Sequence, residues 1–173
     1  MRIPLQKVFF FLLLLITAQP CWAMLLIPMD VTQSDHLKAY GVVYKILQGG
    51  QRVFWLLNYR GGSFACENVK ENELIIRISG VTLKKISAAE WKDILSSIEH
   101  NNMEKVTLEK APKIAVYTPP EKLPWDDAVT MALTYADIPY DKIYDKEVVT
   151  GKIKDYDWIH LHHEDFTGQY SKF

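Results

Sequence analysis

The sequence predicts an α/β fold: a doubly wound, mostly parallel sheet with helices on both faces. Short segments that are apolar at every position recur along the chain, which marks strands buried on both sides. Between them lie segments whose apolar residues repeat with helical spacing. Strand and helix alternate strictly, and that order is the signature of a parallel sheet joined by helical crossovers.

Residues 24–29 (MLLIPM) are the first strand, ending at Asp30. Asp35 is placed to cap a helix that carries Leu37, Tyr40, Tyr44 and Leu47, and Gly49 with Gly50 stops it. Residues 53–57 (VFWLL) are the second strand, closed by the polar, glycine-rich stretch 58–63. Residues 71–78 read as a helix stopped by Gly80, with a strand through Ile75 and Ile76 as the alternative. Residues 81–86 follow as a strand. Ser87 with Glu90 three positions on is a capping box, opening a helix with Trp91, Ile94 and Ile98 on one face. Residues 113–117 are the next strand, ended by Pro119 and Pro120. Trp125, Val129, Ala132, Leu133 and Ala136 form the apolar stripe of another helix. Residues 140–144 give a strand, 146–150 a short helical turn, and 157–163 the last strand. The pattern is of Rossmann or flavodoxin type. Only residues 164–173 remain after it, with no helix to cover the sheet, so the domain is expected to be incomplete at its C-terminal end, as a truncated chain or the first part of a longer protein.

The chain has 173 residues, 49% hydrophobic and 24% charged, which excludes a disordered or collagen-like polymer. Its 20 basic and 21 acidic residues leave a net charge of −1, so no bulk positive field exists to hold nucleic acid. The start reads as an address. Arg2 and Lys7 precede an apolar run over residues 8–18, Pro20 breaks it, and Cys21-Trp22-Ala23 offers a cleavage site after Ala23. Residues 1–23 are thus expected to be a signal peptide and 24–173 the exported α/β domain, periplasmic or extracellular. No stable membrane span is expected after cleavage. Cleavage also removes Cys21 and leaves Cys66 without an intramolecular partner, a thiol expected to be buried.

Ligands of open parallel sheets bind outside the carboxyl ends of the strands. Four polar clusters fall at those ends: Asp30 with Thr32, Gln33 and Ser34; the stretch 58–63; the stretch 118–125; and the stretch 160–165. Asp30, Asn58, Arg60, Gly61, Gly62, His160, His162, Glu164 and Asp165 are therefore the candidate residues for a small polar or anionic ligand. Arg60-Gly61-Gly62-Ser63 has neither Walker nor GxGxxG spacing, so it does not predict a nucleotide site. In the HLHHED run, a period of two puts His160 and His162 on one face of a strand. His162 with Glu164 or Asp165 has the donor chemistry for zinc or iron, but no distant ligand pair completes the set. No metal is therefore expected, and no cofactor is indicated. No serine or cysteine sits on the glycine-flanked elbow of an exposed nucleophile, Cys66 included, so no catalytic residue is assigned.

Several longer blocks resemble one family. They are Ile27-Pro28-Met29-Asp30, His36-Leu37-Lys38-Ala39-Tyr40-Gly41, Trp55-Leu56-Leu57-Asn58-Tyr59-Arg60-Gly61-Gly62-Ser63-Phe64, Leu108-Glu109-Lys110-Ala111-Pro112-Lys113-Ile114-Ala115-Val116-Tyr117, Pro124-Trp125-Asp126-Asp127-Ala128-Val129-Thr130 and His160-Leu161-His162-His163-Glu164-Asp165-Phe166-Thr167-Gly168-Gln169-Tyr170. Together they look like the N-terminal part of an exported bacterial family labelled asparagine synthetase B, whose members are much longer. The resemblance implies a fold similar to the class I glutamine amidotransferase and flavodoxin-like group, and a glutamine-dependent amidotransferase as the family activity. The residues needed for that activity are not in this chain. Position 2 is Arg2 and the expected mature terminus is Met24, where a synthetase needs a cysteine, and no SGGxDS loop occurs. The expectation is therefore an exported, amidotransferase-like domain that binds a small ligand without catalysis, with the family's enzyme activity or a metal-dependent hydrolase built on the HLHHED run as alternatives.

Overall fold

The structure, a computed structural model, describes residues 22–161. Its strands form two sheets. The first is built by β1 (Trp22–Ile27), β2 (Val53–Leu57), β3 (Phe64–Glu67), β4 (Lys84–Ser87) and β5 (Glu104–Leu108), in the order β4-β1-β3-β2-β5. Every neighbouring pair in it is antiparallel. The second has three strands, β6 (Ile114–Tyr117), β7 (Asp141–Ile143) and β8 (Trp158–Leu161), all parallel, in the order β7-β6-β8.

The doubly wound, mostly parallel sheet of flavodoxin or amidotransferase type is therefore overturned. The apolar runs do mark strands covered on both sides. On one face, Leu25, Ile27, Val53, Phe64 and Cys66 pack with Ala39, Val42, Val43 and Ile46 of α1 (His36–Gln48) and Ile76 of α2 (Lys70–Ile78). On the other, Met24, Leu26, Leu56 and Ala65 pack with Ile94 and Ile98 of α3 (Ala88–His100). Two-sided cover explains the apolar runs without requiring parallel neighbours. Of the three strands that pair antiparallel with β1 and β2, two come from segments with little strand signal of their own. β3 has four residues and follows directly on the glycine-rich stretch, which proves to be a chain reversal: Asn58, Arg60, Gly61 and Gly62 all have positive φ, at 62°, 47°, 79° and 87°. β5 is an edge strand with Glu104, Lys105 and Thr107 exposed, so its sequence reads as surface.

The local signals hold better. Asp35 caps α1, its carboxylate accepting the Lys38 amide proton, and Gly49 and Gly50 follow the last turn. Ser87 and Glu90 make the capping box of α3. The helix, not the strand alternative, is found at Ile75 and Ile76. The buried face of α1 differs from the expected stripe: Leu37 and Tyr40 are exposed, and Ala39, Val42, Val43 and Ile46 face the sheet. Burying side chains of this size contributes about 1.5–3 kcal/mol each.

Around the parallel sheet, α4 (Ala128–Tyr135) joins β6 to β7, and α5 (Asp145–Val149) with a 3₁₀ turn at Lys152–Asp155 joins β7 to β8. Leu133 of α4 packs on Ile114 and Val116 of β6. Trp125 lies outside the expected helical stripe, in a 3₁₀ turn at Pro124–Asp126, and is exposed. α1 joins the two sheets. It packs against the end of α4, Tyr44 donates its hydroxyl proton to the Pro112 carbonyl at 2.9 Å, and Lys38 and Lys45 both pair with Asp137. No helix among the described residues is long and apolar enough to cross a membrane.

Candidate functional site

The expected candidates divide between the two sheets. β1 and β2 run in the same direction with β3 between them, so the loops after both reach one edge. There Asp30 and Arg60 meet. Arg60 Nε donates to Asp30 Oδ2 at 2.7 Å, Nη2 donates to Thr32 Oγ1 at 3.1 Å, and the Thr32 hydroxyl and amide both donate to Asp30 Oδ1. The Arg60 guanidinium, then the Thr32 hydroxyl and amide, hold the Asp30 carboxyl well below the usual carboxylate range.

Backbone contacts complete this clasp. The Met29 amide donates to the Arg60 carbonyl at 3.2 Å and to Ser63 Oγ at 3.4 Å, and His36 Nε2 donates to the Met29 carbonyl at 3.2 Å. Gly61 lies so close that a Cβ there would stand 2.4 Å from the Met29 carbonyl oxygen. Gly62 accepts the Trp55 indole proton at 3.1 Å. The charge that a sequence reading offers to an anionic ligand is thus spent on joining two loops. Asn58 is not part of the group: its side-chain amide donates to the Asn102 carbonyl at 3.3 Å, at a separate small hollow lined by Leu57, Met103 and Glu104.

His160 lies on the other sheet and meets different company. Its register partner is Val116, whose side chain packs under α4, and His160 Nε2 lies 3.2 Å from Asp127 Oδ1. Asp127 is the N-cap of α4, its Oδ1 also accepting the Val129 and Thr130 amides at 2.8 and 3.1 Å. The Asp127 side chain is only 4% exposed and that of His160 20%. The ring of Trp158 lies 6.5 Å from that of His160.

The third member is Thr118. Its amide donates to the Ile143 carbonyl, which extends the β6–β7 ladder by one residue and keeps Thr118 on the Val116 face. The residue is 2% exposed, and its Oγ1 is buried with no hydrogen-bond partner among the described residues. Thr118 lies in one of the polar clusters legible in the sequence. Asp127 was missed as a site residue; an aspartate directly before an apolar helical stripe is the N-cap signal that finds it.

His162, Glu164 and Asp165, with the metal reading built on them, lie outside the described residues. Among the described residues no group of three His, Cys, Asp or Glu side chains is arranged to hold a metal ion. The chain matches no protein-family model, no curated protein and no solved structure.

Proposed function

We propose that the chain is an exported α/β domain that binds a small polar ligand at the carboxyl edge of its parallel sheet, between β6 and β8. The buried, unpartnered Thr118 hydroxyl carries this reading. Leaving such a group unpaired costs about 1–3 kcal/mol, and a ligand that pairs it removes that cost. The topology supports the same place. β7 and β8 flank β6 on opposite sides, so successive crossovers depart in opposite directions, the strand order at which open parallel sheets take ligands beyond the strand ends. Export rests on the leader-like residues 1–23, and the resemblance to the exported asparagine synthetase B family agrees with it.

Thr118→Val tests the reading, because valine fills the same volume without the hydroxyl. The free variant should be as stable as the parent or more so, by about 1 kcal/mol. A fragment screen followed by NMR should find compounds that perturb Thr118 and His160 in the parent and lose affinity for the variant. A variant destabilised by more than about 1 kcal/mol, with unchanged fragment binding, would show the hydroxyl to be structural.

A further inference from the structure

We infer that the ligand at this edge is an uncharged molecule that donates a hydroxyl or amide proton to Nδ1 of His160 while pairing the Thr118 hydroxyl. The inference rests on the reading of the edge as a ligand site and adds the ligand's chemical class. A helix N-terminus at such an edge ordinarily favours an anion. Here the place is taken. The Asp127 carboxylate occupies the end of α4 and uses the Val129 and Thr130 amides that an anionic ligand would need. With that carboxylate almost fully buried, a second negative charge beside it would meet repulsion little screened by water.

The hydrogen-bond polarity follows from the same oxygen. Asp127 Oδ1 already accepts two amide protons, so the imidazole nitrogen 3.2 Å away carries the proton of that contact. In the neutral ring this leaves Nδ1 as a bare acceptor, and it has no protein partner among the described residues. This edge therefore offers an acceptor at His160 and a hydroxyl at Thr118, which gives or takes a proton as the ligand requires. The two residues stand on adjacent strands, two positions apart along the register. At strand spacing near 4.8 Å and about 3.3 Å per residue, their Cα atoms are about 8 Å apart. A small molecule with two polar groups close together, on neighbouring carbons in a polyol or on one carbon in a primary amide, has the donor and acceptor needed to meet both residues.

Two matched probe pairs test this: glycerol against glycerol 3-phosphate, and acetamide against acetate, titrated at millimolar concentration into protein labelled at histidine rings and threonine methyls. Glycerol and acetamide should shift both the His160 ring and the Thr118 methyl signals, and their anionic counterparts should not. In the free protein, the ring nitrogen shifts should report the Nε2–H tautomer. An Nδ1–H tautomer, or a response to the anions alone, would overturn the inference and leave the ligand site standing. Silence from all four probes at both residues would overturn the inference together with the site.

Discussion

Gly41 of α1 faces the backbone carbonyl of Ala136, the residue that closes α4, and a Cβ at position 41 would stand 1.8 Å from that oxygen. This contact lets α1, which covers the antiparallel sheet, also abut the helix of the parallel one. Alanine is the better helix former by about 1 kcal/mol, so propensity alone would make Gly41→Ala stabilising. Overlap with a fixed carbonyl outweighs that gain. The substitution should destabilise the protein by about 2–4 kcal/mol in urea unfolding. An unchanged midpoint would mean that the two helices do not meet there.

The Asp30–Arg60 clasp has a definite pH signature. Arg60 and Thr32 lower the Asp30 carboxyl in the folded state, so the clasp stabilises above the unfolded carboxylate range, near pH 4. That stabilisation is lost as the pH falls through the lower folded value. Arg60→Gln should therefore be less stable than the parent at pH 7, with the gap narrowing as both approach pH 2. A gap that stays constant across the titration would show that the guanidinium acts by packing alone.

Gly61 allows the same clasp at backbone level. Its φ of 79° and the 2.4 Å approach of a Cβ to the Met29 carbonyl oxygen both oppose a side chain. Gly61→Ala should cost about 1–3 kcal/mol and raise hydrogen exchange at the Met29 amide, which donates to Arg60. Exchange at Met29 equal to that in the parent would contradict the proposed coupling of the two loops.

Cys66 is fully buried in the β3 strand, and burial, then the nearby Glu67 charge, pushes its thiol up to about 12. Thiolate is the reactive form, so folded protein should not react at this residue with a disulfide reagent at pH 8. Labelling should appear only with unfolding, at the unfolding rate. Rapid labelling under native conditions would place the thiol at the surface.

What could be read from the sequence was local. The Asp35 cap, the Ser87–Glu90 box and the glycine stops each satisfy backbone groups within a few residues, and the structure has them. Pairing between strands was not legible, because an apolar run such as that at residues 24–27 records cover on two faces and not the direction of its neighbours. β3 and β5 decided the topology, one too short and the other too polar to announce itself. The candidate site shows the same division. Asp30 and Arg60, both read from the sequence as ligand residues, meet as each other's partner. His160 lies on β8 beside the start of α4, and Asp127 and Thr118 gain their meaning only from the β6–β8 register and that helix start.

Each sheet is woven from one uninterrupted stretch of chain, β1 to β5 before residue 109 and β6 to β8 after residue 113. Among the described residues no strand crosses from one to the other. The two stretches can therefore nucleate independently, since neither waits on a long-range pairing supplied by the other. A cut between the exposed residues Glu109 and Lys110 would leave each piece with the described strands of its own sheet and would part the contacts of α1 with Pro112, Ala136 and Asp137. The architecture suits reassembly of separately produced halves, and it marks the joint at which such a chain could be exchanged by recombination without breaking a sheet.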